Sequence, residues 1–486
     1  MPPAPRSEDL TVPLCVDLDG TLIKSDLLWE SLVRLLQRNP LYLIAAVVWW
    51  SGGRAALKQQ LARRVAVDPA HLPYHEPFLE YLRAQRAAGR RLLLVTASDR
   101  ALAALVAEHV GLFDEVLASD GQTNLRGRNK GAHLAGRFGE RGFDYAGNSS
   151  VDLPVWARAR EALVVNAPAG LVARARQLGT VGGVFPGAGG VPVAAAIRAL
   201  RPHQWVKNLI IFVPLITSHK INQLPLALDA LSAFIAFSLC ASGVYLVNDL
   251  CDLDADRVHP AKRERPFAAG ALPLQAGLIG APLLLAAGLL GAWCLAPACG
   301  AVAALYLVLT TAYSCGLKRL ALVDVFCLAG LYTLRLVAGH ESTGVAYSAW
   351  LLVFSMFLFL SLALVKRFVE LSTPRAKEAG AVHGRGYLPG DAPLVSSLGA
   401  ASGFMAVLVL ALYVNSQEVR ALYAQPLLLL LVCPLMLYWI SRVWLKAHRA
   451  EMHDDPIVFA IRDPISYLVG ALCLLVLWVA TRHWGT

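Results

Sequence analysis

Charge is scarce in this chain. Only 16% of its 486 residues are Asp, Glu, Lys or Arg, while 56% are hydrophobic and mean hydropathy is +0.52. A soluble domain carries about 25% charged and about 45–50% apolar residues, so the chain cannot be soluble throughout. Paired cysteines are missing as well. The nine cysteines are scattered, six of them in apolar runs (Cys240, Cys294, Cys315, Cys327, Cys433 and Cys473), and there is no Cys-x-x-Cys. That excludes a zinc-finger spacing or a disulfide framework and predicts reduced, structural thiols. The opening MPPAPRSEDL is polar, which predicts no secretory signal there.

The apolar excess is uneven. Residues 1 to about 190 have charge scattered throughout, whereas the rest consists mostly of apolar runs of membrane-spanning length. The Gly/Pro-rich stretch 179–192, GTVGGVFPGAGGVP, reads as a linker. The expected division is therefore a domain over 1–178, the linker, and a membrane domain over 193–486. Nine spans of roughly 20 residues are expected: 195–217, 228–247, 271–294, 297–316, 321–339, 347–365, 393–416, 424–442 and 465–481. The net charge of +10 would suggest nucleic acid in a soluble protein. Here much of the Lys and Arg lies in short loops between apolar runs, Arg257, Lys262, Arg263, Arg265, Lys318, Arg319, Lys366 and Arg367 among them. That bias predicts a membrane topology with these loops and the N-terminus in the cytoplasm, and no nucleic-acid partner.

In the front domain, residues 12–16 read as a buried strand ending in Asp17-Leu18-Asp19-Gly20-Thr21, and 91–95 as a second strand ending in Thr96. Further strands are expected near 114–118 and 143–146, with helices over 26–88, 100–111 and 129–138. Alternation of this kind means a parallel sheet with functional groups at the carboxyl ends of its strands. Two carboxylates two residues apart, just past a strand, face one cleft. One can attack phosphorus while the other handles the proton of the leaving oxygen and of water. Both charges are tolerable beside Mg2+. Thr96 can hold phosphate oxygens, Lys130 can offset the charge, and Asp152 can complete the metal site. Leu41 to Trp50 is apolar but too short to span a membrane; it fits a cap core helix or an interfacial helix.

Residues 10–180 resemble the haloacid dehalogenase superfamily through DLDGT, Thr96, Lys130 and the GNSSVD loop. The resemblance implies a Rossmann-like α/β fold with a helical cap over about 23–88, Asp17 as nucleophile and Asp19 as acid/base. Its fourth motif usually opens on an acid. Asn148 stands there instead and would offer Mg2+ a carbonyl.

The second expected span ends in Asn248-Asp249-Leu250-Cys251-Asp252-Leu253-Asp254-Ala255-Asp256. Asp249, Asp252 and Asp256 at i, i+3 and i+7 share one helix face. They would repel one another without a cation, and a Mg2+-bridged diphosphate is the natural ligand. Lys262, Arg263 and Arg265 follow and could clamp phosphate oxygens. The NDxxDxxxD motif with its basic RP segment resembles the UbiA superfamily over about 195–485, which implies an all-α membrane bundle. Within it, RPHQWVKN (201–208), NDLCDLDADRVHPAKRERP (248–266), YSCGLKRL (313–320), LVKRFVEL (365–372) and RGY (385–387) resemble decaprenyl-phosphate phosphoribosyltransferases.

That likeness implies transfer of 5-phosphoribosyl from phosphoribosyl diphosphate to a polyprenyl phosphate at the bacterial inner membrane. Asn248, Lys207, Tyr313, Lys318, Arg335, Lys366 and Arg367 would be further substrate contacts, with Arg335 alternatively pairing with Asp324. Aromatic prenyl transfer is the competing reading. Those members carry a second DxxxD motif, of which only Asp324 remains, with Leu328 in the second place. A front phosphatase would remove the 5-phosphate and give decaprenyl-phosphoryl ribose, a precursor of the arabinose donor for cell-envelope glycans. A homo-oligomer is compatible with the sequence, although no soluble helix offers a dimerisation stripe.

Overall fold

The computed structural model describes residues 10–119, 125–187, 192–373, 385–452 and 456–482. The chain forms two compact units. The first contains Met1–Arg201 and Tyr245–Pro282, the second Pro202–Val244 and Leu283–Thr486. The boundary thus differs from the expected one: the acidic and basic segment 248–266 folds with the front domain.

The first unit is built on a six-stranded parallel sheet in the order β3-β2-β1-β4-β5-β6. β1 (Leu14–Val16) is central, with Leu14 opposite Leu92 of β2 (Leu92–Asp99) on one side and Asp144 of β4 (Asp144–Gly147) on the other. Its side chains alternate between two cores, as strand geometry requires. Leu14 and Val16 join the cap-side core with Leu32, Leu57 and Phe78, while Cys15 joins the opposite core with Leu93, Tyr145 and Trp156. A strand buried on both faces accounts for the continuous apolar run before Asp17. β3 is Glu115–Ser119 and β5 is Glu161–Val165.

Part of the expected linker belongs to this sheet. Thr180–Phe185 is β6, paired in parallel with β5, and 188–191 lie outside the described residues. Gly182 lets the Glu161 side chain lie where a Cβ would stand, so the glycines that suggested a linker serve close packing at a sheet edge. The expected helical cap resolves into Leu27–Arg38, Tyr42–Ser51, Arg54–Ala62 and Glu76–Ala87. Asp26 caps the first, its Oδ1 accepting from Leu28 N at 2.9 Å. The Tyr42–Ser51 helix is not a core helix: Ile44, Val47 and Val48 are 69%, 65% and 62% exposed, and only Ala46 is buried.

Among the described residues, seven helices are long and apolar enough to cross a membrane, rather than nine: Leu224–Cys251, Leu274–Leu295, Pro297–Cys315, Val323–Thr343, Ala349–Leu371, Pro389–Val414 and Pro426–His448. The first expected span is interrupted. Pro192–Leu200 stops at Arg201, which has a φ of 52°, and a 3-10 stretch Pro202–Phe212 leads into the short helix Val213–Thr217. Pro202 and Pro214 lack the N–H that a continuous helix needs. The last expected span is the 17-residue helix Pro464–Ala480, at the lower limit of spanning length.

Candidate functional site

Two acidic centres are formed in the first unit. At the front centre, β1 delivers Asp17 to the carboxyl edge of the sheet, where its N–H donates to Ala146 O at 3.0 Å. Gly20, with a φ of +76°, turns the chain so that Asp19 faces the same cleft, and the Asn148 amide packs where a Gly20 side chain would stand. Lys130 Nζ donates to Asp17 Oδ1 at 2.8 Å, to Val95 O at 3.0 Å and to Tyr145 OH at 2.8 Å. Tyr145 OH in turn donates to Asp152 Oδ1 at 3.0 Å. Asp19 accepts from Leu27 N at 2.8 Å and from Ser98 Oγ at 2.5 Å, and Thr96 Oγ1 accepts from Ser98 N at 3.0 Å. Burial pushes Asp17 up to about 7, against the pull of Lys130, and Asp19 up to about 6, with Asp26 adding to the rise.

The structure thus brings Asp17 and Lys130 into contact and links Thr96 to Asp19 through Ser98. Asp152 is placed differently. Its Oδ2 accepts from Asn148 N, Ser149 N and Ser149 Oγ, and Tyr145 occupies its other oxygen, so it orders the Asn148–Ser149 loop. Ser98 and Tyr145 had not been singled out. Ser98 lies two residues past Thr96 in a register that β2 alone could have suggested, whereas the role of Tyr145 depends on the fold.

At the second centre, the expected single helix face is interrupted. Leu224–Cys251 ends, the short helix Leu253–Val258 begins after Asp252, and Asp252 is exposed. Asp249 and Asp256 are buried together. Arg265 Nη1 donates to Asp249 Oδ1 at 3.2 Å and to Asp256 Oδ2 at 2.6 Å, and Arg201 Nη2 donates to Asp249 Oδ1 at 2.5 Å. Asp249 Oδ2 and Asp256 Oδ1 are buried with no hydrogen-bond partner among the described residues. Arg265 thus binds the acids, and Lys262 and Arg263 are exposed beside it. Arg201 joined no expected site, because its left-handed backbone, which brings it to Asp249, cannot be read from sequence.

The expected contacts in the second unit divide. Arg335 does not meet Asp324: its Nε donates to Asn208 Oδ1 at 2.7 Å and its Nη2 to Tyr306 OH at 3.2 Å. Asp324 is instead paired with Arg367 Nε at 2.7 Å and accepts from Tyr387 OH at 2.6 Å. Arg367, fully buried and also paired with Glu370, is a structural ion-pair partner. Tyr313 OH accepts from Arg385 at 2.8 Å. Lys207, Lys318 and Lys366 are half-buried.

No three His, Cys, Asp or Glu side chains among the described residues form a protein-only metal cage. The donor chemistry still fits Mg2+, which usually binds through one or two carboxylates plus substrate phosphates. Asp17 with Asp19 offers such a pair at the front centre. Asp249 with Asp256 offers another, with two partnerless buried oxygens.

The model of the UbiA prenyltransferase family matches residues 209–461, and that of the haloacid dehalogenase-like hydrolases matches residues 14–156. The chain belongs to the UbiA prenyltransferase family and carries a haloacid dehalogenase-like domain in front of the membrane domain. It is 42% identical to the uncharacterized protein y4nM of Sinorhizobium fredii over 466 residues, 96% of this chain and 90% of that protein. It is 36% identical to the nodulation protein NoeC of Azorhizobium caulinodans over 56% of this chain and 89% of that one. To the decaprenyl-phosphate phosphoribosyltransferase of Mycobacterium tuberculosis it is 39% identical over 183 residues, 37% of this chain and 61% of that enzyme, less than two thirds of its length. A UbiA homolog from Archaeoglobus fulgidus bound to GPP and Mg2+ is a structural neighbour, with a TM-score of 0.45 and 18% identity over 58% of this chain and 99% of that one. The chain is a multi-pass membrane enzyme with a transferase and a hydrolase domain.

Proposed function

We propose that the membrane domain transfers 5-phosphoribosyl from phosphoribosyl diphosphate to a polyprenyl phosphate, and that the front domain then removes the 5-phosphate. The observation that carries this reading is that the acidic and basic segment of the transferase folds into one compact unit with the phosphatase centre. Two consecutive reactions on one lipid explain that arrangement. The likeness to decaprenyl-phosphate phosphoribosyltransferases supports the first step. The structure of the second unit disfavours a prenyl diphosphate donor. Asp324, all that remains of the second acid motif, is consumed by Arg367 and Tyr387.

In the transferase, Asp249 and Asp256 would hold Mg2+, which when bound neutralises the diphosphate leaving group. Arg265, Arg201, Lys262 and Arg263 add fixed positive charge for phosphate oxygens. In the phosphatase, Asp17 and Asp19 would hold the ion. An Asp17 oxygen bonds to phosphorus as the ribose 5-oxygen leaves and takes a proton from Asp19. Asp19 then takes a proton from the water that hydrolyses the aspartyl phosphate, releasing inorganic phosphate. Lys130 offsets the charge of Asp17 and phosphate, and Ser98 holds Asp19 in place. The exposed apolar helix Tyr42–Ser51 would rest in the interface of the cytoplasmic leaflet.

The test is incubation of membranes containing the protein with labelled phosphoribosyl diphosphate, decaprenyl phosphate and Mg2+, with and without Asp17→Asn. Labelled lipid that keeps its 5-phosphate only in the variant is the expected result. Absence of labelled lipid in both would reject the donor and favour aromatic prenyl transfer.

A further inference from the structure

The phosphatase centre opens into a cavity of about 140 Å3 whose two sides come from distant parts of the sequence. Asp19, Lys24 and Trp29 line one side, and Phe267, Leu272 and Gln275, just past the basic loop of the transferase, line the other. All of them lie in the first unit. The far wall is held close. Gly270 has a φ of +68°, and a Cβ there would stand 2.7 Å from Lys24 Cβ, so only glycine allows the approach.

One buried ion pair, Glu30–Arg257, and one half-exposed pair, Arg34–Asp254, anchor the same segment to the cap. Arg257 Nη2 donates to Glu30 Oε1 at 2.6 Å, and Arg257 Nη1 to Glu30 Oε2 at 3.1 Å. Arg34 Nη2 donates to Asp254 Oδ1 at 2.6 Å, and Arg34 Nε to Asp254 Oδ2 at 3.2 Å. Gln37 Nε2 adds a bond to Leu250 O at 2.7 Å. Glu30 has no exposed surface, and the Arg257 side chain is 5% exposed. Breaking one half of such a pair leaves an uncompensated buried charge, so the segment is held firmly in register with the cap.

The lining is not that of a general sugar-phosphate pocket. Lys24 lines the cavity and makes no ion pair with any described residue, so it offers a cationic group for a second anion beyond the catalytic acids. Phe267 and Leu272 make the opposite wall apolar. Trp29 reaches Trp50, with ring centroids 6.2 Å apart, and Trp50 lies on the exposed apolar helix Tyr42–Ser51. The two tryptophans therefore connect the cavity lining to an exposed apolar helix.

We propose that the wall Phe267–Gln275, supplied by the transferase segment and anchored by Glu30–Arg257 and Arg34–Asp254, sets the specificity of the phosphatase for an amphiphilic phosphomonoester. Its phosphate meets Asp17 and Asp19, a second anionic group meets Lys24, and its apolar chain leaves past Trp29 and Leu272. This inference rests on reading the front centre as a phosphatase.

The experiment uses the full chain in lipid nanodiscs and follows phosphate release from two probes, ribose 5-phosphate and farnesyl-phosphoryl ribose 5-phosphate. The quantity read is the ratio of their kcat/KM values. Loss of release from both probes in Asp17→Asn establishes the phosphatase reading by itself; unchanged release would reject that reading whatever the wall does. With that control in place, the lipid-linked probe is expected to be favoured by about a hundredfold. The ratio should fall by at least about tenfold in Leu272→Ala and in Lys24→Ala, as expected for lost apolar and ionic contacts. The double change Glu30→Gln with Arg257→Gln removes both charges of that pair, while Arg34, which also pairs with Glu30, keeps Asp254 as its carboxylate; it should lower the ratio in the same direction. A ratio at the wild-type value in all three variants, or an equal fall for both probes, overturns the proposal, because the wall would then serve only to hold the fold.

Discussion

The two acidic centres of the first unit solve one electrostatic problem in different ways. Each buries carboxylates that would repel one another. At the front, Asp17 has one lysine, Lys130, and Asp19 has only neutral donors, Leu27 N and Ser98 Oγ. Both are left with raised affinity for protons, near 7 and 6. At the other centre, Asp249 and Asp256 meet two guanidinium groups, Arg201 and Arg265. Guanidinium does not give up its proton in a protein, so the positive charge there is fixed. The first arrangement suits groups that must exchange protons during a reaction. The second supplies fixed positive charge of the kind that highly charged phosphates need. The contrast fits the proposed pairing of a phosphatase with a transferase that would release diphosphate.

The largest expected effect is on the front centre. Asp17→Asn should lower phosphate release by about a thousandfold or more while leaving phosphoribosyl transfer intact, measured on separated lipid products. Equal loss of both activities would erase the distinction between the centres. Next, Asp249→Asn or Asp256→Asn should lower transfer by about a hundredfold, with release from p-nitrophenyl phosphate within about twofold of wild type. Arg265→Lys keeps the charge but loses the planar fork. It should raise the KM for phosphoribosyl diphosphate by about tenfold, with a smaller change in kcat.

A smaller effect concerns pH. The folded-state affinities of Asp17 and Asp19 lie above the unfolded carboxylate value, so the folded chain binds protons more tightly. That contribution to stability is full below about pH 4 and is lost as pH rises through 6 to 7. In chelator, the melting temperature of the front domain should therefore fall between pH 5 and pH 8, and Asp17→Asn should flatten the slope. Arg201→Gln, which touches only the other centre, should leave that slope unchanged. The smallest effect is expected for Ser98→Ala. Loss of its hydrogen bond removes a pull that lowers Asp19, so the alkaline limb of the phosphatase pH profile should move upward, with a few-fold loss of rate.

Much of this was legible in the residues. DLDGT after an apolar run reads as the end of a buried parallel strand with both acids at its edge, and β1 does carry Asp17 and Asp19 there, with Lys130 on Asp17 and Ser98 on Asp19. The acid-rich end of the second span was equally plain. Three expectations differed for identifiable reasons. Glycine-rich 180–185 reads as part of a linker by composition, yet Gly182 lets Glu161 pack on an edge strand. The spacing of Asp249, Asp252 and Asp256 presumes one helix, but the chain starts a new one after Asp252, which turns outward. Arg367 reads as a phosphate ligand, yet it sits fully buried on Asp324.

By itself the sequence determined the two-part character of the chain, its membrane class and the position of both acid motifs. These follow from local composition, from the period of apolar residues and from acids spaced within one turn or strand end, which need no distant partner. Only the tertiary structure decided which charges neutralise which. Arg34 finds Asp254 across 220 residues, and Arg257 finds Glu30 across 227. Ion pairing depends on distance in space and on the exclusion of water, and neither is encoded by any local pattern.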